Sequence, residues 1–414
     1  MIGFLVDASV MVGMIALPFF LLNHVPGGNA AMCGTIMALQ AAVYTLTCIF
    51  GSGIVSKAKH GLNWAILGVG LFIAGFAVMP LYANAYYCGA VSVVAFLGLA
   101  LTWPALHSWV GAEPEPNSRK RHMVWFNLSW SSGFALSPLF AGPLYDYDYR
   151  VPFAMLFGLG GLSLLLLLTM PREKDHFGTA SAELLESRAD HDRSSEMYLY
   201  CAWCATIVAN ALVAVPRAVY PERIQWLVEH GELRLLFEDV PAAFLTTDPA
   251  TKFSWPASAM AMATAVSFLV LAGTNRWRHR FDWLVIMQVL SAAAFFVLGQ
   301  TRSLVLITLC FIVVGANHGL AFFSSAYYSL SDPAHKHRRS SINEGAVGFG
   351  GFVGSLAFGY LVGRFGYTLP FSLTPLFVAV MVVVELMLLR YGMRRMRASK
   401  PPAHNPHVSG SNVS

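Results

Sequence analysis

The sequence predicts an all-α polytopic membrane protein with twelve transmembrane helices in two pseudo-symmetric six-helix bundles. Three observations carry that expectation. Of the 414 residues, 56% are hydrophobic and only 12% charged, about half the charge of an ordinary soluble domain. The apolar residues gather into runs of roughly the 20 residues a helix needs to cross a bilayer. Those runs divide six and six about the one long charged stretch in mid-chain, residues 171–196. A soluble enzyme, a disordered chain and a disulfide-stapled secreted module are excluded by this composition.

Taken in order, Gly, Pro and charge clusters delimit first-half spans at 4–22, 32–54, 62–82, 85–109, 124–144 and 151–170. The second-half spans are 197–216, 257–274, 282–300, 303–328, 342–362 and 370–391. The first run is long enough to span and shows no cleavage site, so no cleavable signal is expected. These limits predict an N-terminal bundle over 1–171 and a linker over 172–196. A C-terminal bundle over 197–392 then carries an external insertion at 217–256, and a basic tail fills 393–414. Of the 27 Lys and Arg residues, 20 fall in one set of alternate loops and 7 in the other. Under the positive-inside rule both termini and the linker face the cytoplasm of a cell (inner or plasma) membrane. The net charge of +5 follows from that loop bias, and no nucleic-acid partner is expected. Cys201-x-x-Cys204 sits in an apolar run with no His or second Cys pair nearby, which predicts packing rather than a metal or redox site.

The two halves repeat. Gly133-x3-Ser137-Pro138-x3-Gly142 in span 5 answers Gly350-x3-Gly354-Ser355-x3-Gly359 in span 11, at an offset of 217 throughout. Gly98-Leu99-Ala100 answers Gly319-Leu320-Ala321 at an offset of 221. Parallel repeats of this kind place a binding site at their interface near the bilayer midplane. The glycines are read as helix-packing or gate positions, because small residues at this spacing let membrane helices approach closely. They are not phosphate loops.

Ionisable and polar groups at membrane depth are costly and mark function by default. Asp7 lies about one turn inside span 1 on the cytoplasmic side, either as a proton-titrating or cation-pairing carboxylate or as an interfacial group favoured by the helix N-terminus. Arg217, placed at the outer end of span 7, either holds an anionic group bidentately or snorkels. Asn210 lies deeper on the same helix. Asn317 and His318 sit near mid-membrane in span 10 as a proton relay or substrate donor, or as a helix–helix hydrogen bond. Glu344 opens span 11, where Ser341 three residues before it has capping-box spacing; a gate contact is the other reading. Tyr44, Trp125 and Trp130 lie on spans expected to border a cavity, as rings for a substrate or as an interfacial belt. Gln40 and Asn127 complete the polar candidates. Glu385 in span 12 is read as packing or snorkelling. Residues 222–237 are read as an amphipathic helix on the bilayer or over the cavity mouth. No catalytic triad, zinc-ligand set or nucleotide loop is readable, so neither enzyme, metal nor cofactor is expected.

Asp7 to Leu22 (DASVMVGMIALPFFLL) is similar to first spans of the major facilitator superfamily of secondary transporters, which carry an acidic residue and later a Pro-x-x-Leu. Gly133, Ser137-Pro138 and Gly142 resemble the glycine–proline motif of its antiporter branch, with Ser where Gly is usual. The layout resembles that superfamily over nearly the whole chain. The resemblance implies alternating access about a midplane site, a small-molecule substrate and a driving ion, with protons expected through Asp7 or His318, in a monomer. One motif departs from the pattern. The loop Gly51-Ser-Gly53-Ile-Val-Ser-Lys57-Ala-Lys59-His60-Gly61 lacks the acidic residue that in the family steadies the state closed on the cytoplasmic side, and Gly273-Thr-Asn-Arg276-Trp-Arg278 lacks it too. The expectation is efflux of a small amphiphile. Uptake of a small organic anion through Arg217 is the alternative within the class. A transport-inactive sensor or scaffold is the alternative outside it.

Overall fold

A computed structural model describes residues 1–57, 61–111, 116–170, 193–236, 248–330 and 336–398. The first half comprises α1 (Ile2–His24), α2 (Ala30–Lys57), α3 (Gly61–Val78), α4 (Ala85–Gly111), α5 (Pro116–Leu136), α6 (Pro138–Tyr147) and α7 (Val151–Thr169). The second comprises α8 (Arg193–Ala218), α9 (Tyr220–Glu229), α10 (Pro249–Ala272), α11 (Phe281–Leu298), α12 (Leu304–Leu330), α13 (Lys336–Phe365) and α14 (Thr368–Ala398). Among the described residues the only β pairing is an isolated bridge between Arg234 and Ser303. The loop residues 58–60, most of the linker (171–192), residues 237–247 of the insertion and the tail from 399 lie outside the described residues.

Among the described residues eleven stretches are long and apolar enough to cross a membrane. The α5–α6 pair supplies the remaining span: Arg119, Lys120 and Arg121 dilute its hydropathy, and Pro138 divides it. Proline has no N–H to continue the helix ladder. The Ser137 hydroxyl and N–H both donate to the Gly133 carbonyl, and the Ser258 hydroxyl of α10 donates to the Ala135 carbonyl at 2.6 Å, so the bend is bonded to the other half. The burial of the spans is graded. In α1 89% of the apolar window is buried, against 17% in α14; α1 is central and α14 peripheral.

Three expected boundaries are corrected. Pro216 and Pro221 read as a stop for span 7, yet α8 runs through Pro216 to Ala218 and α9 follows at once, giving an apolar stretch of 33 residues. Tyr220 is fully buried against Phe311 and Phe371, and that packing carries the chain past both prolines. The amphipathic helix expected at 222–237 is therefore α9, whose Ile224 and Leu227 are buried in the protein body. Span 8 begins at Pro249 rather than 257 because a carboxylate from the other half caps it, as described below. Span 11 begins at Lys336, which overturns the capping box at Ser341 and Glu344: both residues are interior to α13.

The glycine repeat makes close helix contacts. A Cβ at Gly133 of α5 would collide with the Phe4 carbonyl of α1. At Gly350 and Gly354 it would collide with the Ile207 and Ala211 carbonyls of α8. Gly359 meets Gly34 of α2, and Gly142 meets Ala250 and Ser254 of α10. α13 is thus held between α2 of one half and α8 of its own.

Candidate functional site

The hydrogen bond from Gln225 Nε2 to Asn23 Oδ1, 2.7 Å, fixes the relative height of the two halves. It lies toward the end of the bundle opposite Met1, here the distal end. Arg217 stands eight residues before Gln225, in the last turn of α8, and the apolar run continues past it through α9 to Glu229. It is inside the bundle, not at its outer end as the sequence placed it.

The Arg217 guanidinium lies over the ring of Phe134 in α5, 5.0 Å from its centroid. Asp7 of α1 and His318 of α12 are both within its electrostatic range. No direct ion pair joins Asp7 to Arg217 among the described residues. Nε and Nη2 of Arg217 are buried and have no hydrogen-bond partner. Those two atoms form one edge of the guanidinium fork, the geometry that takes an oxyanion with two parallel hydrogen bonds. His318 Nδ1 sits 3.5 Å from Thr264 Oγ1, and that hydroxyl donates to the Gly315 carbonyl at 2.9 Å. Asn317 is 1% exposed, with Oδ1 and Nδ2 both unpartnered. Asn210 is buried, its Nδ2 donating to the Thr206 carbonyl of its own helix at 2.9 Å.

An aromatic wall flanks this cluster. Trp130 has its centroid 6.5 Å from Trp103, 6.4 Å from Phe134 and 5.5 Å from Phe268 of the other half. Phe268 continues to Phe322 at 5.8 Å, and Phe322 to His318 at 6.0 Å. Trp130 Nε1 donates to Asn127 Oδ1 at 3.1 Å, so Asn127 orients the indole. Trp125 is 63% exposed and stands apart from the wall. Phe134, Phe268, Phe322 and Thr264 were not singled out in the sequence; the i, i+4 spacing of Trp130 and Phe134 is the one signal that could have found them.

A second polar contact crosses the halves. Tyr44 OH of α2 donates to Glu344 Oε2 of α13 at 2.8 Å. Gln40 lies one turn away; its Nε2 donates to Ser92 Oγ at 3.1 Å while its buried Oε1 has no partner.

At the distal end two carboxylates each sit on a helix N-terminus of the opposite half. Glu222 Oε2 accepts from the Ala30 N–H at 3.1 Å and from Tyr367 OH at 2.6 Å. Asp146 accepts from the Thr251 N–H at 2.7 Å, its hydroxyl at 2.6 Å and the Ala250 N–H at 3.3 Å. Unpaired N–H groups and the helix dipole favour an anion at each place. This pairing was not readable in the sequence, since loop carboxylates look solvated. Among the described residues no three His, Cys, Asp or Glu side chains come together as a metal site.

The family model described as Major Facilitator Superfamily matches residues 1–226 and 238–411 of the chain. No curated protein matches it. Among solved structures, a POT family transporter in complex with 5-aminolevulinic acid is similar with a TM-score of 0.73, at 14% identity over 95% of each chain. A bacterial homolog of the human lysosomal transporter Spinster, inward-facing and occupied, gives 0.69 at 14% identity over 97% of each chain. The nucleoside transporter NupG gives 0.65 at 12% identity, over 94% of this chain and 98% of that one. At such identities the likeness is one of fold.

Proposed function

The chain belongs to the Major Facilitator Superfamily, and from that premise we propose that it moves a small organic anion across a cell membrane by alternating access, with Arg217 as the anion-binding group. It is a multi-pass membrane protein of a transporter family, not an enzyme. The finer reading rests on one observation: the buried, unpartnered Nε–Nη2 edge of Arg217. Charged donors without acceptors are expensive to bury, and a carboxylate or phosphate oxygen pair satisfies both at once. The aromatic wall of Trp130, Phe134 and Phe268 offers the apolar part of the solute a surface. This favours the organic-anion alternative over efflux of an amphiphile.

Asp7 supplies the coupling. Its negative charge competes with the solute for Arg217, so a proton on Asp7 strengthens anion binding, and by linkage bound anion strengthens proton binding. Proton and anion then travel together. Asn317 and His318 complete the polar lining, and Tyr44–Glu344 is read as a gate between the halves. The loop charge bias puts both termini, the 172–196 linker and the 393–414 tail in the cytoplasm, with 1–171 and 197–392 as the rocking bundles of a monomer in the lipid bilayer. The distal end is then external.

The test is uptake into proteoliposomes of a panel of labelled carboxylates and organic phosphates, with and without an inward proton gradient. 5-Aminolevulinic acid, named with one similar structure, is a carboxylate and belongs in the panel. Wild type should concentrate at least one anion under the gradient, and Arg217→Ala should abolish this. Asp7→Asn should still exchange the anion but no longer accumulate it. Accumulation of a neutral or cationic solute, unchanged in Arg217→Ala, would sink the proposal. No flux of any solute would move the reading to a sensor or scaffold.

A further inference from the structure

Glu385 lies away from the central cluster, on α14, the helix with the least buried apolar window at 17%. Its own exposure is nevertheless 0%. It lies on the inward stripe that Phe371, Thr374 and Val378 mark, all buried, so snorkelling does not explain it. Gln288 of α11, also 0% exposed, places Nε2 at 3.1 and 2.9 Å from the two Glu385 carboxyl oxygens. Gln288 Oε1 is buried with no partner. Ser291, three residues on and so on the same helix face, is 0% exposed with Oγ unpartnered as well. From α8, the Cys201 thiol donates to the Glu385 backbone carbonyl at 3.5 Å. The titratable groups facing the carboxyl are the Cys201 and Cys204 thiols; no basic side chain among the described residues does so.

Ionised, Glu385 would hold a full charge in a water-poor interior with a single amide as partner, and Gln288 Oε1 would stay orphaned. Both are costly. Protonated, and with the Gln288 amide turned so that Nε2 keeps one carboxyl oxygen and Oε1 meets the other, the two planar groups pair as an acid–amide ring. The Glu385 O–H donates to Gln288 Oε1 while Gln288 Nε2 donates to the other carboxyl oxygen. One added proton removes the uncompensated charge and satisfies the orphaned acceptor. We propose that Glu385 and Gln288 form an intramembrane proton-binding site, separate from the central cluster. The site bears on α8, the helix that carries Arg217.

Infrared spectroscopy of the purified protein tests this without knowledge of the solute. With glutamate carboxyls labelled by carbon-13, wild type at neutral pH should show a protonated-carboxyl C=O band that persists into alkaline buffer. Glu385→Gln should lose it. Gln288→Leu should move it to higher frequency as the acid loses its ring partner, and this variant carries the test if Glu385→Gln does not fold. Identical carboxyl spectra for wild type and Glu385→Gln would overturn the proposal, as would a band indifferent to Gln288→Leu. A carboxylate band that shifts when sodium replaces choline would also overturn it, showing a metal cation held in place of the proton.

Discussion

Arg217 has two attributes that a substitution can separate, its charge and its fork. Arg217→Lys keeps the charge but offers an oxyanion no paired parallel donors. The expected loss is about 1.4 kcal/mol, roughly tenfold in apparent affinity, with transport retained and read as a raised KM. Arg217→Ala should leave no measurable uptake. Asp7, Arg217 and His318 were legible in the sequence because ionisable groups stand out in apolar runs. Their meeting was not, since residues 7, 217 and 318 come from three different helices and nothing local records that they converge. The depth of Arg217 was misread for a definite reason. Prolines on either side imitate a helix end, and only the burial of Tyr220, a tertiary fact, keeps the chain inside. Glu344 was misread likewise, from a capping pattern that occurs by chance inside a longer helix.

At the scale of elements, the close approach of α13 to α2 and α8 depends on missing side chains rather than on specific partners. Gly354→Ala puts a methyl group into the Ala211 backbone, and overpacking of this kind costs about 1–3 kcal/mol. A lower thermal midpoint of the purified protein is the expected reading. Gly161→Ala, on a face of α7 with nothing within 4 Å, is the contrast and should be neutral or slightly stabilising. An equal drop in both variants would show that the seam is not special. The spans, their six-and-six division and this glycine repeat were legible, because length, hydropathy and small-residue spacing are local properties. The division of span 5 at Pro138 was half legible: a bend was readable, whereas the hydroxyl of Ser258 that reaches across from the other half to the Ala135 carbonyl was found only in the structure.

The whole molecule is fastened at its distal end by Glu222 on α2 and Asp146 on α10, each reaching across the halves. Capping interactions of this sort contribute about 1 kcal/mol each, so Asp146→Ala or Glu222→Ala should raise the share of distally open molecules roughly fivefold. Labelling of an Ala31→Cys reporter by an impermeant thiol reagent, in a background lacking the native cysteines, measures that share. Unchanged labelling would mean that the glycine seam alone holds the distal end shut. The same crossing has a consequence for how the protein is made. Neither half holds the anion its own helix start requires: α2 waits for Glu222 and α10 for Asp146. During synthesis the first six spans therefore enter the membrane with one bare helix end and one idle carboxylate, and both find their counterparts only when the last six arrive. The chain cut between the bundles and produced as two separate polypeptides should for that reason recombine in the membrane, and each fragment alone should be the short-lived one.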